Sequence, residues 1–96
     1  MMVIVSYDVN TKDTAGKKRL RHVAKICQDY GQRVQNSVFE CLVNNMQLEI
    51  LKNKLLSEID EEYDSLYFFN IGSRYHNKIF SYGCKTIVDL DGPVIF

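Results

Sequence analysis

The sequence lacks the features that mark membrane, secreted and zinc-binding proteins. Its three cysteines include no Cys-x-x-Cys pair, and two of them fall within apolar patterns. No apolar run approaches the ~20 residues that a membrane span needs, and no basic segment precedes the apolar residues that follow Met1. We therefore expect a cytoplasmic protein with buried, reduced thiols, no membrane contact, no disulfide framework and no zinc site.

Common catalytic motifs are also missing. The chain has no glycine-rich phosphate loop, no His-Glu-x-x-His pair and no Ser, His and Asp arrangement of the hydrolase type. Its 96 residues have room for a single domain, 1–96. The core of such a small domain is thin, so a partner chain would stabilise it.

Net charge is absent as well, but the charges are unevenly distributed. Twelve basic and twelve acidic side chains cancel, which argues against a polybasic tail protein. Residues 1–35 nevertheless carry a net charge of +4, residues 36–72 carry −5 and residues 73–96 carry +1. The basic N-terminal part is therefore the candidate surface for a polyanion.

The apolar periodicity predicts an alternation of strands and helices. Period-two alternation indicates strands, and apolar residues at helical spacing after an Asp, Thr or Asn cap indicate helices. The predicted elements are a strand over Met2–Val9, a helix from Asp13 or Thr14 to about Tyr30, a strand or bent pair over Arg33–Val43, a helix after Asn44 or Asn45 with a core stripe of Leu48, Leu51, Leu55 and Ile59, a strand over Leu66–Ile71, and a hairpin or broken strand formed by Lys78–Tyr82 and Cys84–Val88.

This order predicts an α+β, ferredoxin-like β-α-β-β-α-β fold with an antiparallel sheet, two helices on one face and an extra C-terminal strand. Two helices cover only one face of the sheet, yet several strands are apolar on both faces. Because a chain of this length has no spare layer, we expect a second copy to cover the other face in a two-fold homodimer. The apolar tail Pro93–Phe96 would then extend the partner's sheet edge.

Asp8 is the first candidate for chemistry. It closes an apolar strand on the face opposite Val3, Val5 and Tyr7. One interpretation is a strand-end residue that accepts backbone hydrogen bonds from the following turn. The other is that Asp8 and its copy converge near the dimer axis and hold a divalent cation. Mg²⁺ suits such a site because it takes few protein oxygens and keeps several waters, one of which can attack a phosphodiester.

The segment from Gly31 to Glu40 is the second candidate. Arg33 is followed by amide and hydroxyl side chains that suit phosphate oxygens, but a salt bridge to the acidic part of the chain is an equal alternative. Phe39 also has two interpretations, stacking on a base or packing in the core.

Basic residues on the first predicted helix are the third candidate. Lys17, Arg21 and Lys25 stand four residues apart and form one axial row, with Lys18 beside it. Such a row suits the phosphate backbone of a nucleic acid and reads no bases. The residues expected to bind nucleic acid are Lys17, Lys18, Arg19, Arg21, Lys25 and Arg33.

These motifs together resemble a known family. Tyr7-Asp8-Val9 on an N-terminal strand, the basic helix with its run from Lys18 to Arg21, and the segment from Arg33 to Cys41 resemble CRISPR-associated protein 2, in particular its small type I-C subtype. The similarity covers essentially the whole chain. It implies a ferredoxin-like homodimer that works in CRISPR spacer acquisition with the CRISPR integrase, CRISPR-associated protein 1, binds duplex DNA, and acts as a metal-dependent endonuclease on RNA or DNA.

The resemblance also implies roles for individual residues. Asp8 corresponds to the family's metal-binding carboxylate at the dimer interface, with Mg²⁺ as the cofactor, and Tyr7 corresponds to its neighbour. Arg33 and Phe39 match motif positions tied to nuclease activity. The expected catalytic set is therefore Asp8, Tyr7, Arg33 and Phe39.

Three hypotheses for the function follow. The first is a Mg²⁺-dependent endonuclease that cleaves double-stranded DNA, single-stranded RNA or both. The second is a non-catalytic, dimeric DNA-binding scaffold of the spacer integration complex. The third is a toxin-like ribonuclease or a small-molecule regulatory domain of the same topology, although a regulatory domain would not need the basic row.

Overall fold

The computed structural model describes residues 1–83 and has the predicted order of elements. The α+β, ferredoxin-like prediction is confirmed, because two helices accompany four antiparallel strands in the sheet order β2-β3-β1-β4. Of the two alternatives for residues 33–43, the bent pair is the one observed. The elements are β1 (Met2–Asp8), α1 (Thr14–Tyr30), β2 (Gln32–Gln35), β3 (Val38–Leu42), α2 (Asn45–Glu58) and β4 (Ser65–Gly72).

Strand β1 lies in the middle of the sheet, between β3 and β4. Its last residue, Asp8, is paired with Ser65 at the start of β4. Because alternate residues of a strand face opposite sides of a sheet, β1 contributes to both faces. The residues that face the helices are Val3, Val5 and Tyr7, and those that face the other way are Ile4, Ser6 and Asp8.

Local hydrogen bonds fix the ends of both helices. Asp13 caps α1 by accepting the N–H of Gly16 at 2.7 Å, and α1 ends at Gly31, whose N–H donates to the Cys27 carbonyl at 2.9 Å. Helix α2 begins with a capping box in which Asn44 accepts the N–H of residue 47 at 2.8 Å and donates its own N–H to that glutamine at 2.9 Å. Neither of these two helices is long and apolar enough to cross a bilayer.

The core lies between the helices and one face of the sheet. The predicted stripe of α2 is confirmed, although Ile59 is only partly buried at its end. Cys27 and Cys41 are buried and free, as predicted for reduced thiols. The fully buried side chains include Val3, Val5, Val23, Cys27, Phe39, Cys41, Leu51 and Leu55.

The opposite face of the sheet, which we call the open face, is also apolar. Leu42, Tyr67 and Phe69 lie on it and are 57%, 59% and 48% exposed. Residues 79–82 lie opposite this face, and the space between them and the sheet is a groove of about 390 Å³. Ile4 and Val38 line the groove on the sheet side. No helix among residues 1–83 covers the open face. The apolar side chains on it confirm the prediction that both faces of the sheet are apolar.

One predicted strand is absent. Lys78 donates its N–H to the Tyr75 carbonyl at 3.0 Å in a turn, and Lys78–Tyr82 pairs with no strand of the described chain. Residues 78–82 are therefore not a strand within the described chain, and the pairing with Cys84–Val88 that the hairpin prediction requires is not tested. The predictions for Cys84–Val88 and Pro93–Phe96 lie outside the described residues.

A buried carboxylate joins three parts of the chain at one end of the sheet. The side chain of Asp64 is 0% exposed and accepts hydrogen bonds from Arg19, from Nε at 2.9 Å and from Nη2 at 3.2 Å. It also accepts the backbone N–H groups of Asn10 and Asp60, each at 2.9 Å. These four residues form what we call the Asp64 junction. The junction ties the β1–α1 loop and the α2–β4 loop to helix α1.

The junction keeps Asp64 ionised. Burial by itself raises the pKa of the Asp64 carboxyl, but the hydrogen bonds from Arg19 and from the amides of Asp60 and Asn10 outweigh burial. The pKa of Asp64 therefore lies below its ordinary value of 3.8. Because the folded pKa is the lower one, this stabilisation is present above the unfolded pKa of about 4 and is lost as the pH falls through the folded value.

We predict that Asp64→Asn lowers the free energy of unfolding at neutral pH by about 2 kcal/mol, because the amide cannot satisfy all four donors. We also predict that this deficit shrinks as the pH falls from about 4, where the unfolded chain takes up a proton at Asp64, through the lower pKa of Asp64 in the folded protein. Denaturant unfolding followed by circular dichroism across this pH range measures both effects. Glu61→Gln, which removes one negative charge from an exposed position of the same loop, is the matched control, and a deficit that is independent of pH would contradict the prediction.

Candidate metal site and nucleic-acid interface

Asp8 lies at the end of β1 on the open face. Its side chain is exposed, whereas Tyr7 and Val9 on either side of it are buried. The predicted orientation of Asp8, away from the helices, is confirmed. The interpretation as a strand-end acceptor is not supported by the described contacts, because the Asn10 N–H in the following loop donates to Asp64 instead.

The exposed carboxylate of Asp8 has the chemistry of a magnesium ligand. Within residues 1–83, no group of three or more His, Cys, Asp or Glu side chains is arranged to hold a metal ion. Mg²⁺ is commonly bound through one or two carboxylates, and water fills its other positions. Two copies of Asp8, brought together across their open faces, have the chemistry that Mg²⁺ requires.

Three other predicted catalytic residues lie together on the helix side of the sheet. Phe39 is fully buried, its ring centre lies 6.2 Å from that of Tyr7, and the Arg33 guanidinium carbon lies 5.1 Å from the Phe39 ring centre. Arg33 and Phe39 are cross-strand partners in β2 and β3. The structure thus brings Tyr7, Arg33 and Phe39 together and places Asp8 on the opposite face.

The burial of Tyr7 and Phe39 limits the chemistry that their side chains can do. Phe39 packs in the core, so of its two interpretations the core packing is the one observed and the stacking on a base is not. Burial raises the pKa of Tyr7 to about 12, an effect that Cys27 increases and Arg33 opposes, so the phenol stays protonated at neutral pH. Arg33 makes no ion pair among the described residues and its buried Nε has no hydrogen-bond partner there. Its phosphate contact stays a prediction.

Helix α1 exposes most of the predicted nucleic-acid residues. His22 and Arg19 mark the flank of α1 that faces α2 and the α2–β4 loop, because they contact Glu58 and Asp64. The other predicted residues of α1 make no ion pair among the described residues and are exposed. We call these four residues the basic row: Lys17, Lys18, Arg21 and Lys25.

Arg19 is the exception, and its predicted role is corrected. Its side chain is 19% exposed, and both hydrogen-bonding groups named above are directed to Asp64. It is therefore engaged in a structural ion pair and not in a phosphate-binding surface. Asp64 is not predicted from the sequence as the partner of Arg19, because the two residues are 45 positions apart in the chain. The one feature of the sequence that could have indicated this role is the position of Asp64, directly before an apolar strand.

The chain is similar throughout to known proteins. A family profile described as CRISPR associated protein Cas2 matches residues 1–79. The CRISPR-associated endonuclease Cas2 of Halalkalibacterium halodurans is 54% identical over 96 residues, which cover 100% of both chains. The CRISPR-associated endoribonuclease Cas2 of Nitratidesulfovibrio vulgaris is 52% identical over 95 residues, which cover 99% of this chain and 93% of that relative.

The fold is similar to a solved structure of the same kind. The crystal structure of Streptococcus pyogenes Cas2 at pH 6.5 superposes with a TM-score of 0.76 and 53% sequence identity, covering 86% of this chain and 100% of that chain. The resemblance found in the sequence is thereby confirmed. The profile match, the identities and the shared fold together establish that this chain belongs to the Cas2 family of CRISPR-associated proteins.

Proposed function

We propose that the chain is a Mg²⁺-dependent endonuclease that acts as a homodimer in CRISPR adaptation. The observation that carries the proposal is the exposed carboxylate of Asp8 at the end of the central strand, on an apolar open face. The names of the relatives, endonuclease and endoribonuclease, support cleavage of phosphodiester bonds.

The dimer is supported by the side chains of the open face. Leu42, Tyr67 and Phe69 leave apolar surface in water, and each Å² removed from water contributes about 25 cal/mol. A two-fold interface uses the same patch of both chains. Pairing through the open faces would therefore put both copies of Asp8 on the inner side of the dimer.

In the proposed mechanism, Asp8 of each chain would hold the cation. When bound, Mg²⁺ supplies Lewis-acid stabilisation of the charge that develops on the phosphoryl oxygens and lowers the pKa of water. The basic row would hold the sugar-phosphate backbone through contacts that carry no base information. Such contacts suit duplex DNA and single-stranded RNA alike.

We predict that Asp8→Asn lowers Mg²⁺-dependent cleavage by about 100-fold or more, because the amide loses the charge that attracts the cation. Binding of duplex DNA in the presence of chelator should persist, since Asp8 lies on the face of the sheet opposite the helix that carries the basic row. End-labelled duplex DNA and single-stranded RNA, incubated with Mg²⁺ or with chelator, provide the assay.

The matched control for this variant is Asp29→Asn, which makes the same substitution at an exposed acid of α1. It should cleave like the wild type. Cleavage by purified Asp8→Asn at the rate of Asp29→Asn would remove Asp8 from any catalytic role.

A second candidate function is a dimeric DNA-binding scaffold of the spacer integration complex. It is favoured by the separation of the basic row, on a helix, from Asp8, on the opposite face of the sheet. Binding through the row does not need the carboxylate. In this role the dimer would hold duplex DNA for the CRISPR integrase, CRISPR-associated protein 1, and cleavage would be incidental.

We predict that replacing Lys17, Arg21 and Lys25 together by Gln weakens binding of duplex DNA and makes it less sensitive to salt. Each lost phosphate contact should reduce the slope of log affinity against log salt by about 0.9. Fluorescence anisotropy between about 50 and 200 mM salt measures the slope.

Lys54→Gln on α2 is the control for the loss of one positive charge, and it should leave the salt slope unchanged. A triple variant with the affinity and salt slope of the wild type would show that nucleic acid binds elsewhere.

A further inference from the structure

The Asp64 junction lies directly beside the segment that carries Asp8. Asp64 precedes Ser65, the residue of β4 that is paired with Asp8. The same Asp64 carboxylate accepts the N–H of Asn10, two residues beyond Asp8, at 2.9 Å. The backbone around Asp8 is therefore held on two sides by one buried side chain and its neighbour.

The anchor at Asn10 is tight. A Cβ atom at position 16 would lie 1.9 Å from the Asn10 carbonyl oxygen, so glycine at this position lets the loop press against the first turn of α1. The Asn10 side chain, in turn, accepts the N–H of Lys12 at 3.0 Å. Arg19 completes the anchor from α1 through its paired hydrogen bonds to Asp64.

The end of β1 needs such an anchor. Beyond Asp8 the chain leaves the sheet, so its direction depends on the loop that follows. A carboxylate that binds a cation together with its copy has to be placed within about 0.5 Å. The observed bonds restrain the backbone on both sides of Asp8 and leave its carboxylate free of contacts among the described residues.

We propose that Asp64 is a positioning residue for Asp8: it ties the end of β1 to α1 and so orients the Asp8 carboxylate toward the shared cation. The inference rests on the proposed nuclease function, because it assigns a task to Asp8. Arg19 acts with Asp64 by holding its two oxygens in place, which leaves one of them directed at the Asn10 amide.

The first test measures hydrogen exchange of backbone amides by NMR in the metal-free, full-length chain. In Asp64→Asn the side-chain amide has one acceptor oxygen where the carboxylate has two, so the amide protons of Val9 and Asn10 should exchange at least about tenfold faster. The amide of Val5, in the middle of β1, should not show this increase. Glu61→Gln removes one negative charge from the same loop at an exposed residue outside the junction and should leave all three unchanged.

The second test measures the affinity of the same proteins for Mn²⁺ by electron paramagnetic resonance. Loss of an orienting partner typically weakens metal binding by about 10-fold or more, and we expect a loss of this size for Asp64→Asn but not for Glu61→Gln. Duplex binding in chelator should be the same in all of them. A purely structural role would lower the thermal midpoint and leave the Mn²⁺ affinity of the folded protein unchanged.

Arg19→Lys provides a second variant if Asp64→Asn does not fold. It keeps the positive charge but loses the paired hydrogen bonds, so both effects should appear at smaller size. Unchanged exchange at Val9 and Asn10, or unchanged Mn²⁺ affinity, in the folded variants overturns the inference. Failure of the proposed function differs: the wild type then binds no Mn²⁺ or Asp8→Asn binds it equally well, while the exchange rates still decide whether Asp64 holds this segment.

Discussion

The central position of β1 is the constraint on which the rest of the structure depends. A strand between two others must present alternate residues to both faces of the sheet. Val3, Val5 and Tyr7 use one face for the core beneath the helices, and Ile4 and Asp8 are left on the open face. The same alternation that builds the core therefore places an acid at the end of an apolar surface.

The Asp64 junction is the second organising feature, and it joins helix α1 to the two loops at one end of the sheet. A buried ion pair contributes little net stability, because desolvation offsets much of the attraction between the charges. Its directional bonds nevertheless fix geometry, and here they fix α1 relative to the loop that follows Asp8. In the proposed role, these bonds hold the helix that carries the basic row in a fixed position relative to the strand that carries the Asp8 carboxylate.

Much of this architecture follows from local sequence patterns. The caps, predicted as Asp13 or Thr14 and as Asn44 or Asn45, depend only on near neighbours in the chain, as does the face of Asp8. The structure places the caps at Asp13 and Asn44 and Asp8 on the predicted face. Contacts across long separations are different, since periodicity contains no information about which residues meet. For this reason the sequence does not predict the ion pair between Arg19 and Asp64. The apolar residues of Lys78–Tyr82 likewise do not identify a strand with which this segment would pair.

Sedimentation equilibrium is the most direct test of the proposed dimer, in which a second copy of the chain covers the open face. Phe69 on the open face and Leu56 on α2 are 48% and 47% exposed, so lysine at each position adds the same charge at similar exposure. The wild type and Leu56→Lys should sediment at twice the 11.2 kDa chain mass, and Phe69→Lys should shift toward the mass of one chain. A wild type that is monomeric at micromolar concentration, or a Phe69→Lys variant that remains fully dimeric, would contradict the claim.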